Sequence, residues 1–340
     1  MNVSFVHKDF EWSPKQIHGG TENCVANMAS ALSRLSCRTS VLGRFGSTFE
    51  YQGVNYIDVG TPFEPDQIAS KLPLETDIAI IVSDLENVLA LRNATNCKRV
   101  IWLHDDWAFP TVSDRDLDLV IFVSEAQRLF YEHWSKVKHV IIPNGFDPSI
   151  FFVEQMQVYD RIIYAGALVE EKGIKLLINA YKIARQDIPN TSLHIFGSED
   201  LWGKSQNNLL GNFQGDGVHI QGKASQQRLR REYNQSLLSV IPSSMKLRLD
   251  PFPCSAIESQ ASGCPPIVSD CGGLPEAVIN GTTGFVFPSE SLVDLASIMI
   301  AAVQNRTNTL AMRHQCVRHT ENHYRWDHLA TRFLDAISVL

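Results

Sequence analysis

No stretch of the chain approaches the roughly 18 consecutive apolar residues of a membrane span, and no basic start is followed by an apolar run. The opening "MNVSFVHKDF" turns polar too soon for an export signal. The chain is therefore expected in the cytoplasm, with a peripheral position at the inner face of a membrane left open. Basic charge is not in excess. Thirty Lys and Arg stand against 37 Asp and Glu, a net charge of −7 that argues against nucleic acid as a partner. The cysteines number seven, with no CxxC pair and no metal-ligand spacing. That excludes a disulfide framework or a zinc module and fits buried free thiols in a reducing compartment. GxGxxG is also missing after the first apolar run, which excludes a nicotinamide-type dinucleotide fingerprint.

What is present is alternation. Short β-branched runs bounded by turn residues recur between stretches of helical periodicity, the pattern of α/β units with mostly parallel strands. "NVSFV" (2–6), "TSVLG" (39–43), "DIAIIVS" (77–83), "RVIWLH" (99–104), "LVIFVS" (119–124) and the start of "HVIIPNGFD" (139–147) read as strands of a first half. After a linker-like stretch the pattern restarts with "RIIYAGAL" (161–168) and continues through "SLHIFGS", "GVHIQG", "LLSVIPS" and "PPIVSD". A chain of 340 residues exceeds what one core usually serves. Two domains are expected, 1–150 and 151–323, each doubly wound. The final "YRWDHLATRFLDAISVL" places Trp326, Leu329, Phe333, Leu334 and Ile337 on one helical side. The helix 324–340 either caps the second domain or packs back on the first.

Three segments carry candidate chemistry. In "PKQIHGGTENCVANM" (14–28), Gly19 and Gly20 precede a helix start, where unpaired N–H groups and the dipole favour an anion. Anion binding and a plain connecting loop are equally compatible with this stretch. "YAGALVEEKGIKLL" (164–177) repeats the layout, with Lys172 at a helix start, where the dipole prefers acids. A bound diphosphate would relieve that conflict; a solvated lysine beside Glu170 and Glu171 is the plainer alternative. In "DPFPCSAIE" (250–258), Pro253 fits a first helical position, leaving the N–H groups of Cys254, Ser255 and Ala256 unpaired. Glu258 follows Cys254 on the same face, about 6 Å along the axis, and Asp250 approaches from the loop. Two carboxylates beside an anion site suit hydroxyls next to phosphate, as in a nucleotide sugar. Either acid alone reads equally well as an ion-pair partner or cap. Glycines return in "SDCGGLPEAVINGTTGFVF" (269–287), where Pro275 opens another helical turn.

In this order, "HGGTENCVANMASAL", "IIPNGFD", "GALVEEKGIKLLINA" and "DPFPCSAIESQASGCPPIVSDCGGLPEAVINGTTGFVF" resemble a retaining glycosyltransferase of family 4, and the resemblance covers nearly the whole chain. It implies the GT-B fold: two Rossmann-like, doubly wound α/β domains facing across a cleft. The implied activity is transfer of a hexose, glucose by family frequency, from a UDP-sugar to a carbohydrate or lipid-linked glycan acceptor in polysaccharide or glycoconjugate biosynthesis.

The resemblance also implies roles. Glu258 would bind ribose hydroxyls. Asp250 would bind the donor sugar, with main-chain N–H groups of Phe252, Cys254 and Ser255. Lys172 would hold the diphosphate with the Gly19–Gly20 loop, and His104 would lie near the donor sugar. The nucleobase would lie near Gly222 and Lys223. The chain departs from the family where Ala167 replaces an arginine, Asp250 a commoner Glu, and Pro253 a Gly. Arg248 is the candidate to supply the missing cation. No metal or other cofactor is expected, and Asp-x-Asp in "DRDLD" (114–118) reads as a solvated loop. Arg228, Arg230 and Arg231 read as a solvated helix face. The rival readings are a nucleotide-sugar epimerase on the same scaffold and a non-enzymatic two-domain sugar-binding protein.

Overall fold

The computed structural model describes residues 1–15, 19–61, 63–83, 91, 96–104, 115–134, 136–201, 204–205 and 215–340. The chain divides into two compact units, Met1–Gly145 with Trp326–Leu340, and Phe146–Arg325. Among the described residues no helix is long and apolar enough to cross a membrane.

In the first unit β1 (Asn2–Glu11), β2 (Arg38–Arg44), β3 (Phe49–Tyr51), β4 (Val54–Asp58), β5 (Ile78–Val82), β6 (Lys98–Trp102), β7 (Leu119–Phe122) and β8 (His139–Ile141) form one sheet. The order is β3-β4-β2-β1-β5-β6-β7-β8. Only the β3–β4 pair is antiparallel. Between them Gln52 and Gly53 both have positive φ, the geometry of a tight hairpin. The strands β5 and β7 are buried along their whole length, as parallel strands covered on both faces must be. Helices α1 (Gly20–Arg34), α2 (Pro65–Lys71) and α3 (Glu125–Phe130) belong to this unit. The C-terminal helix, Trp326–Ser338, packs against α1. Phe333 reaches Trp102, ring centroids 5.4 Å apart, and Arg332 donates to the Ile141 carbonyl at 2.8 Å.

The second unit holds β9 (Arg161–Ala165), β10 (Ser192–Phe196), β13 (Val218–Gly222), β14 (Leu238–Ile241), β15 (Pro266–Ser269) and β16 (Phe285–Phe287), besides a two-stranded ribbon, β11 (Asp200–Leu201) with β12 (Lys204–Ser205). The main sheet is parallel, in the order β13-β10-β9-β14-β15-β16. Its helices are α4 (Ile174–Ala184), α5 (Gln226–Gln235), α6 (Cys254–Ala261), α7 (Leu292–Gln304) and α8 (Arg306–His323), which makes Trp326–Ser338 α9. Ile162, Ile178, Tyr181, Val240, Ile267 and Leu295 belong to one core cluster that joins sheet to helices. Strand order reverses between β9 and β14. In open parallel sheets that reversal opens a crevice beyond the strands' carboxyl ends, where ligands bind.

All seven cysteines are free thiols, and Cys24, Cys37, Cys264, Cys271 and Cys316 are buried.

Candidate active site

The segments that leave β9 and β14 at this reversal carry most of the candidate residues. Beyond β9, the buried Tyr164 hydroxyl donates to the Ala167 carbonyl at 2.6 Å and shapes the turn. Burial, then the charges of Asp250 and Glu171, hold that phenol protonated far above its usual range. A 3-10 turn follows at Glu170–Lys172, and Gly173 takes φ 69°, ψ 23° ahead of α4. A Cβ at Gly173 would overlap the Pro242 carbonyl oxygen, so only glycine permits this approach to the segment after β14. Lys172 thus belongs to a separate turn before α4 instead of its first turn.

That approach brings three side chains together. Lys172 Nζ donates to Asp250 Oδ2 at 2.6 Å, and Ser243 Oγ donates to the same oxygen at 2.7 Å. Asp250 is 6% exposed and Ser243 2%. The Asp250 backbone is fixed as closely. Gly273 N donates to its carbonyl at 2.9 Å, and Gly272, at φ 55°, lies where a Cβ would strike that carbonyl. Arg248 is half-buried in the same segment, and its carbonyl accepts from Cys271 Sγ at 3.4 Å.

Beyond Pro251 the chain enters α6. The helix begins at Cys254, one residue later than expected, and Pro253 is its cap instead of its first residue (φ −86°, ψ 107°). The extended ψ places the Pro253 ring outside the helix, where its missing N–H is equally harmless. Phe252 is buried with its ring 5.7 Å from Tyr324. Cys254, Ser255 and Glu258 are half-buried. Desolvation pushes the Glu258 carboxyl up to about 7. It makes no hydrogen bond or ion pair among the described residues, and its charge helps to raise the buried Tyr233 phenol, after burial itself.

On the other side of β9, Gly222 ends β13 at φ 70° with open space where a Cβ would lie, and Lys223 is exposed. The Gly222 carbonyl accepts from Gly197 N at 3.0 Å. Gly197 itself crosses so close to the Gly166 carbonyl that a Cβ would overlap it. Gly197 and Ser243 were not among the expected site residues. Their neighbours, "FGS" and "IPSS" at strand ends, were the available signal.

The remaining candidates belong to the first unit. Gly19 is the extended cap of α1 and Gly20 its first residue; Gln16 to His18 lie outside the described residues. His104 is half-buried, its N–H donating to Ser83 Oγ at 2.8 Å and its ring 4.3 Å from Trp102. Of the Asp-x-Asp pattern, Asp114 lies outside the described residues and Asp116 is buried. Asp118 accepts from Arg99 N at 2.8 Å and Lys98 Nζ at 3.2 Å, the work of a structural acid. In the second unit Arg228 and Arg230 are likewise engaged, with Gln221 and with Glu154.

Two doubly wound, largely parallel sheets, the second with an ammonium, two carboxylates and a helix N-terminus at or after its reversal, make up the GT-B fold. Solved structures agree on the fold. Sucrose-phosphate synthase from Thermosynechococcus elongatus matches with a TM-score of 0.83 at 18% identity, over 99% of this chain and 98% of that one. Anabaena Alr3699/HepE in complex with UDP-glucose matches at 0.78 and 16%, over all of both chains. The family model described as glycosyl transferases group 1 matches residues 151–323, and the chain belongs to that family, the retaining glycosyltransferases of family 4, which use nucleotide-sugar donors. A lipopolysaccharide 1,2-N-acetylglucosaminetransferase of Salmonella typhimurium strain LT2 is 26% identical over 291 residues, 78% of this chain and 74% of that protein. Other curated relatives are spanned over half of their length or less. Membership sets aside the epimerase and the non-enzymatic binding protein.

Proposed function

We propose that the protein transfers a hexose from a UDP-sugar, glucose as the first choice, to a carbohydrate or lipid-linked glycan acceptor. The observation that carries this reading is the grouping of Lys172, Asp250, Glu258 and the α6 N-terminus at the sheet reversal of the second unit. Such a group answers the diphosphate and the ribose of a nucleotide sugar. Charge builds on the leaving diphosphate as the anomeric bond breaks, and Lys172 with the N–H groups of Cys254 and Ser255 stabilises it. Glu258 accepts from the ribose diol. The leaving phosphate takes the acceptor's proton, so no protein base is required.

Base and sugar rest on relatives: a neighbour of the same fold was solved in complex with UDP-glucose, while a relative in sequence is an N-acetylglucosaminetransferase. A panel of UDP-, GDP- and ADP-linked glucose, N-acetylglucosamine and mannose, read as nucleotide released, tests the choice. UDP-glucose turned over fastest supports it, and preference for a GDP- or ADP-sugar rejects it. The acceptor is sought with the preferred donor, by anomeric NMR of the product.

A further inference from the structure

In the family pattern the first of the two acids is a sugar-binding group. The geometry here points elsewhere: we infer that Asp250, itself fixed by Ser243, is a positioning residue that acts on the donor through Lys172. The inference rests on the proposed reading that Lys172 meets the donor's diphosphate.

Exposure divides the pair unequally. The Asp250 side chain is 7% exposed, whereas that of Lys172 is 37% exposed. Both donors, the ammonium and the Ser243 hydroxyl, fall on the one oxygen Oδ2. Lysine is a flexible stem carrying three rotatable donors. With one donor spent on Asp250, two remain for an anion, and the ammonium is held where it is needed before the donor arrives. Preorganised charge of this kind stabilises a transition state without reorganisation during the reaction.

Close backbone approaches and hydrogen bonds hold the segments behind the pair. Gly173 presses Lys172's turn against Pro242, the residue before Ser243. The Ser243 carbonyl accepts from Ser269 Oγ at 2.7 Å, tying the serine to the end of β15. Gly272 and Gly273 grip the Asp250 carbonyl from the other side. Aspartate, one methylene shorter than glutamate, suits a carboxylate drawn back to a lysine beneath the ligand. Ala167 stands where the family has an arginine, which leaves more of the diphosphate's charge to Lys172 and the candidate Arg248.

The test compares D250N, S243A and K172A, singly and as the double variant K172A/D250N. Calorimetry measures affinity for the preferred nucleotide sugar and for the same nucleoside diphosphate without sugar. In D250N the two affinities change by the same factor, so their ratio stays at its wild-type value. In the K172A background D250N changes neither. Turnover falls about tenfold or more in D250N and several-fold in S243A, through loss of charge-assisted hydrogen bonds. S243T, which keeps the hydroxyl, restores it. S243A carries the same comparison should D250N fail to fold. A selective loss of the sugar-bearing nucleotide in D250N, in either background, overturns the inference and returns Asp250 to the sugar. If K172A binds the nucleoside diphosphate as tightly as the wild type, the diphosphate reading fails, and this inference with it.

Discussion

Replacing Glu258 by Gln should separate function from stability in opposite directions. The carboxyl titrates near pH 7 in the folded protein instead of near 4.5, because the surrounding protein desolvates its charge. The raised value means that the folded state holds a proton the unfolded state has released between those two pH values. Stability contributed by this group is therefore intact below about pH 4.5, declines as pH rises, and is fully lost above about 7. At 1.36 kcal/mol per pH unit the shift corresponds to about 3 kcal/mol. Glu258 is only half-buried, and solvent screening reduces this to about 1–2 kcal/mol. Gln keeps the shape and removes the charge. At pH 8 the variant should melt roughly 3–6 °C above the wild type. At pH 5 the gain should shrink to about a quarter of this. The donor should suffer the reverse: a carboxylate accepting from the ribose diol is worth about 1.5–3 kcal/mol per charged hydrogen bond, or roughly a tenfold to hundredfold rise in donor KM. Differential scanning calorimetry at pH 5 and 8, with donor kinetics at pH 8, reads both. A variant that melts lower than the wild type at pH 8, or one with unchanged donor KM, refutes the reasoning.

Gly173→Ala should cost about 3 kcal/mol or more, because a positive φ and the Pro242 carbonyl both oppose a Cβ; melting should fall by roughly 6–12 °C, and an unchanged midpoint would contradict it. Arg248→Ala should raise donor KM about tenfold if this side chain substitutes for the cation missing at Ala167; Ala167→Arg in the same background should recover part of the loss. Transfer should persist in EDTA, and its complete disappearance would bring a metal back into the reaction.

The pair of α/β sheets was legible because buried parallel strands have dense β-branched composition. "RIIYAGAL" and "PPIVSD" could hardly lie elsewhere than inside a sheet, and β9 and β15 begin within them. The amphipathic face of α9 was equally readable, with Trp326, Leu329, Phe333 and Ile337 all buried. Other features left little trace. The β3–β4 hairpin turns through Gln52, not the Asn-Gly pair that advertises such turns. The buried residues of α8 are Thr309, Met312, Cys316 and Thr320, too few and too polar to mark an apolar stripe. At the site, sequence spacing related Asp250 in the loop to Glu258 in the helix that follows, but not to Lys172, which stands 78 positions away. That pairing depends on β9 and β14 being neighbours in the sheet, and on Gly173 meeting Pro242. Ser243 became visible only through the same tertiary contact.

A crystal soaked with the preferred nucleoside diphosphate shows where the donor binds. The diphosphate should lie within hydrogen-bond distance of Lys172 Nζ and of N–H groups at the start of α6, with ribose hydroxyls on Glu258. Nucleotide bound elsewhere, with the Lys172–Asp250–Ser243 group untouched, would contradict this.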